Sequence, residues 1–221
     1  MKTHVFPLLV AALAGPLMCQ PSPVPVEQEP LHHVVLKNDR IMVIHLTLPP
    51  GETTLYHTHS HDRIAIGLSE SSTAQQEWNR DEDKPSPSTP GRITARQEDK
   101  PYTHRVHNLG ATPFDVLDVE ILQRPAAPTT KPIAEVAAEN PSARVYKYVL
   151  APGASSAMHT HERPYLIVAA TAMQLKMTAP DGKSMAHSIG PGEFHWVEST
   201  VSHSLTNEGT SEGQIIEIEL K

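Results

Sequence analysis

Short runs of β-branched and aromatic residues, each closed by a turn, set the rhythm of this chain. Ile41-Met42-Val43-Ile44-His45-Leu46 leads into Pro50-Gly51, and Val145-Tyr146-Lys147-Tyr148-Val149-Leu150 leads into Pro152-Gly153. Both read as strands, because such side chains fit a pleated surface and Pro-Gly pairs punctuate it. Glu217-Ile218-Glu219-Leu220 alternates with period two, as a strand does. Twenty-one prolines and eleven glycines suit a chain with many turns between short strands. The expected class is all-β.

The chain also repeats itself. Pro50-Gly51 followed by His57-Thr58-His59 recurs as Pro152-Gly153 followed by His159-Thr160-His161. A second block, His104-x3-Asn108-x-Gly110, recurs as His203-x3-Asn207-x-Gly209, and Phe114 to Ile121 then aligns without a gap on Gly213 to Leu220. Two homologous units follow, 31–124 and 141–221. The stretch 125–140 between them opens with Pro125-Ala126-Ala127-Pro128-Thr129-Thr130-Lys131-Pro132, a linker by composition, with one helical turn expected in Ile133 to Glu139. Asp81 to Gly91 reads as a polar loop inside the first unit.

Before the repeats, Met1-Lys2-Thr3-His4 and the apolar run Val5 to Met18 have the charged start and short apolar core of a signal peptide, residues 1–18. Pro7, Gly15 and Pro16 break that run, which is too short for a membrane span. Residues 19–30 read as a Pro-rich tether. A lipid anchor at Cys19 is the alternative, disfavoured by Met18, since a small residue usually precedes an acylated cysteine. The expected location is periplasmic or secreted. A net charge of −7 without a basic block excludes nucleic acid and an anionic membrane surface as partners. A single cysteine excludes an internal disulfide and any thiolate-rich metal site.

Fourteen histidines are more than packing requires, and their spacing is informative. Residues i and i+2 of a strand share a face, so each His-x-His pair turns both imidazoles toward one ion. His57, His59, His61 and Arg63 share one face by this parity, and His159, His161, Arg163 and Tyr165 another. His104 and His203, in the second repeated block, are the natural third ligands. Three neutral imidazoles suit iron, zinc, copper or nickel and leave positions open for water, oxygen or substrate.

These motifs resemble those of the cupin superfamily, and the whole of residues 31–221 resembles a two-domain bicupin. Gly51 with His57 and His59, and Gly153 with His159 and His161, match the family's Gly-x5-His-x-His motif. His104 with Asn108, and His203 with Asn207, match the His-x3-Asn end of its second motif. The resemblance implies two tandem jelly-roll β-barrels. The chain departs from the pattern where cupins place a carboxylate ligand four residues after the second histidine, since Arg63 and Tyr165 stand there. What remains is similar to the three-histidine cupins, among them dioxygenases that hold ferrous iron.

From this follows the expectation of a divalent metal, iron first, with zinc, copper, nickel or manganese as alternatives. His159, His161 and His203 are expected to form the principal site. His57, His59 and His104 form a second or vestigial one, to which His61 adds a fourth imidazole. Tyr165 is expected to orient a bound molecule, and Arg163 or Arg63 to clamp a carboxylate. The expected activity is oxygen-dependent oxidation of a small anionic molecule by a monomer or homodimer. A non-catalytic binding protein of the cell envelope is the alternative. Asn108 and Asn207 read as turn caps, and His195 as a residue of equal promise for the pocket or the surface.

Overall fold

The computed structural model describes residues 22–124 and 131–221. The expected signal peptide and Cys19 lie outside the described residues. The first unit contains β1 (Val24–Pro25), β2 (His32–Lys37), β3 (Ile41–Leu48), β4 (His57–His59), β5 (Asp62–Gly67), β6 (Ser71–Glu77), β7 (Ser86–Ser88), β8 (Ile93–Arg96), β9 (Tyr102–Asn108) and β10 (Phe114–Ile121). The second contains β11 (Ala138–Glu139), β12 (Ala143–Leu150), β13 (His159–His161), β14 (Tyr165–Ala169), β15 (Met173–Thr178), β16 (Ser184–Ile189), β17 (Phe194–Val197), β18 (Val201–Asn207) and β19 (Gly213–Leu220).

Each unit is two facing sheets. In the first, the orders are β2-β3-β10-β5-β8 and β1-β4-β9-β6-β7; in the second, β11-β12-β19-β14-β17 and β13-β18-β15-β16. Removing β1 makes the two topologies identical, as two jelly-roll barrels built from one repeat require. Gly51 and Gly153 turn the chain before β4 and β13 with φ of 79° and 77°, a region glycine enters without a Cβ clash.

Strand parity explains the placement of the core. On β10, Leu117, Val119 and Ile121 face one way, while Val116, Asp118 and Glu120 face the barrel interior. On β19, Ile216, Ile218 and Leu220 face out, while Ile215, Glu217 and Glu219 face in. The outward sets join Ile41, Val43, Ile64 and Ile66 from the first unit with Val145, Leu166 and Val168 from the second in one buried apolar cluster. The largest core therefore lies between the barrels, and β10 and β19 are buried on both faces. The period of two near the C-terminus separates an interface from a polar interior rather than core from solvent.

Three segments differ from expectation. Val24 and Pro25, expected in a tether, pair in parallel with His57 and Thr58. Val26 follows in a short 3-10 turn, buried against Met42 and Ile44, so apolar burial orders this Pro-rich stretch. The helical turn expected within Ile133 to Glu139 is absent; Ala138 and Glu139 instead extend a sheet beside Val145 and Arg144. Ser86–Ser88 forms a short strand on β6 within the expected polar loop. No helix among the described residues is long and apolar enough to cross a membrane.

Candidate metal centre

β13 and β18 run antiparallel with His159 directly opposite His203. In the other barrel, His57 lies opposite His104 in the same way. This register adds the third imidazole to each His-x-His pair from the neighbouring strand. In both triads the first histidine uses Nδ1 on a backbone carbonyl, Leu55 at 2.9 Å for His57 and Ala157 at 3.0 Å for His159. A carbonyl only accepts, so Nδ1 carries the proton and Nε2 presents its lone pair. The second histidine of each pair sets Nδ1 on a carboxylate, Glu120 for His59 and Glu219 for His161, both at 2.7 Å.

The barrels then diverge. In the second, Glu217 joins His159, His161 and His203, and one donor atom of each lies within 4.8 Å of the others, all buried. The carboxylate oxygens of Glu217 lie 3.2, 3.1 and 3.0 Å from Nε2 of His159, His161 and His203. Of these, only the His161 contact has hydrogen-bond geometry; His159 Nε2, His203 Nε2 and Glu217 Oε1 have no hydrogen-bond partner among the described residues. Buried ligand atoms that converge on a common point, three of them without a hydrogen-bond partner, fit a tetrahedral or larger coordination sphere. To the three expected histidines the structure thus adds one glutamate that could share an ion with them. The carboxylate comes from β19, not from the first motif, where Tyr165 stands.

Two tyrosines flank this site. Tyr165 lies flat on His161 at 3.8 Å between centroids, and Tyr148 is nearly parallel to His159 at 5.5 Å. Both hydroxyls are buried without a hydrogen-bond partner among the described residues. Burial, and then the Glu217 charge, push both phenols up, so they are donors throughout the neutral range. Burial opposes charge on His161, but Glu217 and Glu219 outweigh it and raise the imidazole to about 9. Burial likewise opposes charge on Glu217, yet the imidazoles around it hold its carboxyl well below the usual range.

In the first barrel, His57, His59 and His104 form a buried triad without a carboxylate. Its position on β10 equivalent to Glu217 is Asp118, which accepts a 2.9 Å hydrogen bond from Arg63 Nη1. Arg63 also approaches Glu98 at 3.5 Å and lies over the Tyr102 ring. Burial lowers all three histidines, His57 to about 3, helped on His59 and His104 by the Arg63 charge. The sites thus differ in charge: neutral imidazoles beside a guanidinium in one, imidazoles around a carboxylate in the other.

Two expected site residues lie elsewhere. His61 precedes β5 in a bend and sets Nδ1 on Glu120 at 2.9 Å; it props the carboxylate behind His59 instead of adding a fourth imidazole. Burial, then the nearby Asp118 charge, push that Glu120 carboxyl up to about 8. The bend at Arg163 and Pro164 ends strand parity between β13 and β14, so Arg163 lines a surface pocket with Arg40, Arg124 and Lys221 rather than the histidine cluster. Glu217, Glu219 and Tyr148 were not anticipated as site residues. For the two glutamates the signal lies in the repeat, which aligns Asp118 and Glu120 with Glu217 and Glu219 on an alternating strand, whereas Tyr148 aligns with Leu46 and carries no such signal. Asn108 and Asn207 are buried turn caps, each donating to two carbonyls and accepting from the glycine two residues on.

No family model matches the chain, and no curated protein does. Solved structures do share its fold. AerE from Microcystis aeruginosa is 13% identical over 87% of this chain and 98% of its own, with a TM-score of 0.56. An oxalate decarboxylase is 12% identical over 82% of this chain and 69% of its own, with a TM-score of 0.55. A variant of salicylate 1,2-dioxygenase from Pseudoaminobacter salicylatoxidans, in complex with gentisate, is 13% identical over 82% and 69%, with a TM-score of 0.53. This chain has the fold of a bicupin, two jelly-roll barrels in tandem. Its buried histidine and glutamate groups are suited to a divalent metal.

Proposed function

We propose that this protein is an exported, metal-dependent bicupin that oxidises a small organic anion with dioxygen at its second barrel. The observation that carries this reading is the convergence of His159, His161, His203 and Glu217 below two buried, unpartnered tyrosine hydroxyls. These four residues would hold the metal, with iron the first expectation and zinc, copper, nickel or manganese the alternatives. Bound there, iron supplies one-electron chemistry toward oxygen, and any of these ions supplies a Lewis acid. Glu219 fixes the ring orientation of His161. Tyr165 and Tyr148 donate hydrogen bonds to whatever small molecule enters, and Leu205, Ile167 and Ile215 line the interior and exclude water. The gentisate-bound dioxygenase and the oxalate decarboxylase make a small carboxylate a reasonable class of substrate for this fold. Export rests on the apolar run of residues 1–18.

The test is oxygen consumption by the iron-loaded protein with a panel of aromatic and aliphatic carboxylates. Uptake with at least one acid, abolished in Glu217→Ala, supports the proposal. A fully loaded protein inert to the whole panel contradicts it.

A second reading, anion binding without catalysis, draws on the first barrel. A cavity of about 260 Å³ there is lined by Arg63, Arg92, Arg96 and Lys84, with Asp83 the acidic residue in its wall. Carboxylate binding that survives loss of all metal and fails in Arg63→Gln would favour it.

A further inference from the structure

Outside both barrels, the two repeats build one pocket together. Arg40 and Ser142 occupy equivalent positions just before β3 and β12. Their carbonyls accept equivalent backbone hydrogen bonds, from Leu122 at 2.8 Å and from Lys221 at 3.0 Å, just after β10 and β19. Around this point Arg40, Gln123 and Arg124 of the first repeat meet Ser142, Arg163, Pro164 and Lys221 of the second, enclosing about 250 Å³. Four of the lining side chains are basic and none is acidic, in a protein whose net charge is −7.

Two of the four cations are already neutralised. Arg124 binds Asp62 at 2.6 Å and Asp99 at 3.1 Å, and Lys221 binds Glu139 at 2.9 Å. Asp62 has little left to offer, since it also accepts from the fully buried Ser142 hydroxyl at 2.6 Å and from the Glu98 amide at 2.9 Å. Arg40 and Arg163 make no side-chain hydrogen bond or ion pair with any described residue, and the adjacent Asp39 and Glu162 do not pair with them. The two arginines come from different repeats and line the same cavity. Such forks match the paired oxygens of carboxylate and phosphate groups.

We propose that this pocket is a binding site for a compact dianion, a dicarboxylate or a phosphate, which Arg40 and Arg163 hold between the two repeats. The site is separate from the metal centre and does not depend on the reading of that centre. A ligand there contacts both units at once and stabilises the folded chain by mass action.

The experiment is calorimetric titration of the metal-loaded full chain with inorganic phosphate and, separately, with succinate, alongside melting curves in each. The expected result is a saturable site for at least one probe that persists when His159, His161 and His203 are all replaced by alanine, with a raised melting temperature. The probe that binds identifies the class. Arg40→Gln combined with Arg163→Gln should weaken binding by about tenfold or more, since charged hydrogen bonds are lost. The ligand-free melting temperature should not change, because neither side chain has a partner to lose. Lys183→Gln, an exposed change between β15 and β16 outside this pocket, should bind as the wild type does. The proposal is overturned if neither probe saturates, if sodium chloride at matched ionic strength removes the binding, or if the double variant binds undiminished.

Discussion

Arg63 and Tyr165 occupy the same position of the repeat and each faces the interior of its own barrel, yet they leave the neighbouring carboxylate in opposite states. Arg63 takes Asp118 in a 2.9 Å contact, away from the imidazoles. Tyr165 lies against His161 and leaves Glu217 among three imidazoles. One residue thereby separates a barrel with a charge-balanced interior from a barrel with a negatively charged ligand set.

Replacing Arg63 with the residue of the other barrel should release Asp118. In Arg63→Tyr the aspartate is buried without its cation, a change that costs about 3–5 kcal/mol when a buried pair is broken. The metal-free variant should melt below wild type. A divalent metal should restore much of the loss, and the His57, His59 and His104 triad should gain metal. Melting curves with and without added metal, in a background lacking His159, His161 and His203, check both expectations. Equal melting temperatures with and without metal would show that Asp118 does not reach the triad.

Metal uptake should depend on pH in the second barrel only. In the metal-free protein His161 is raised to about 9, so at neutral pH it holds a proton that the metal must expel. Apparent affinity there should rise about tenfold per pH unit up to about 9, with release of about one proton. In the first barrel the imidazoles are already neutral, His57 titrating at about 3, and uptake should be flat across the same range. Titrations at several pH values, on variants that each retain one triad, separate the two.

Acid should destabilise the metal-free first barrel early. His57, His59 and His104 have folded pKa values below the unfolded value near 6.5, so the unfolded chain takes up protons that the folded chain refuses. Stability is then lost as pH falls below about 6.5, by about 1.4 kcal/mol per pH unit for each imidazole. His161 has the opposite sign: its contribution is present below about 6.5 and is lost as pH rises through about 9. Denaturant midpoints across pH, compared with the His57, His59 and His104 triple-alanine variant, isolate the first effect.

The architecture was legible because repeats, Pro-Gly turns and His-x-His spacing are all local along the chain. Parity located His57, His59, His159 and His161 within their strands, and the second block supplied His104 and His203. Parity failed at His61 and Arg163 because both lie in bends between strands, where an alternation rule has no backbone to act on. Glu217 was missed for a different reason. A period of two says which residues share a face but not which face is inside, and on β19 the polar face is the interior one. At Val24 to Gln28 composition alone points to a tether, whereas burial of Val26 decides the structure.

The buried asparagines should prove structural. Asn207 donates to the carbonyls of Leu150 and Ser211, each at 2.8 Å, and accepts from the Gly209 amide at 2.9 Å. Asn207→Ala should cost about 2–4 kcal/mol, because buried carbonyls lose their donors. Metal content per folded molecule should stay unchanged. Chemical denaturation paired with metal analysis checks both halves, and a loss of metal without a loss of stability would give Asn207 a role in the site.

The central claim, that the second barrel is the metal-holding one, is tested most directly by elemental analysis of the protein purified without chelators. It should be compared with two triple-alanine variants, one at His57, His59 and His104 and one at His159, His161 and His203. The account predicts near-stoichiometric metal in the wild type, little change in the first variant and loss in the second. Wild-type protein that stays metal-free after incubation with iron, zinc, copper, nickel and manganese, or metal that disappears only with the first triad, would contradict it.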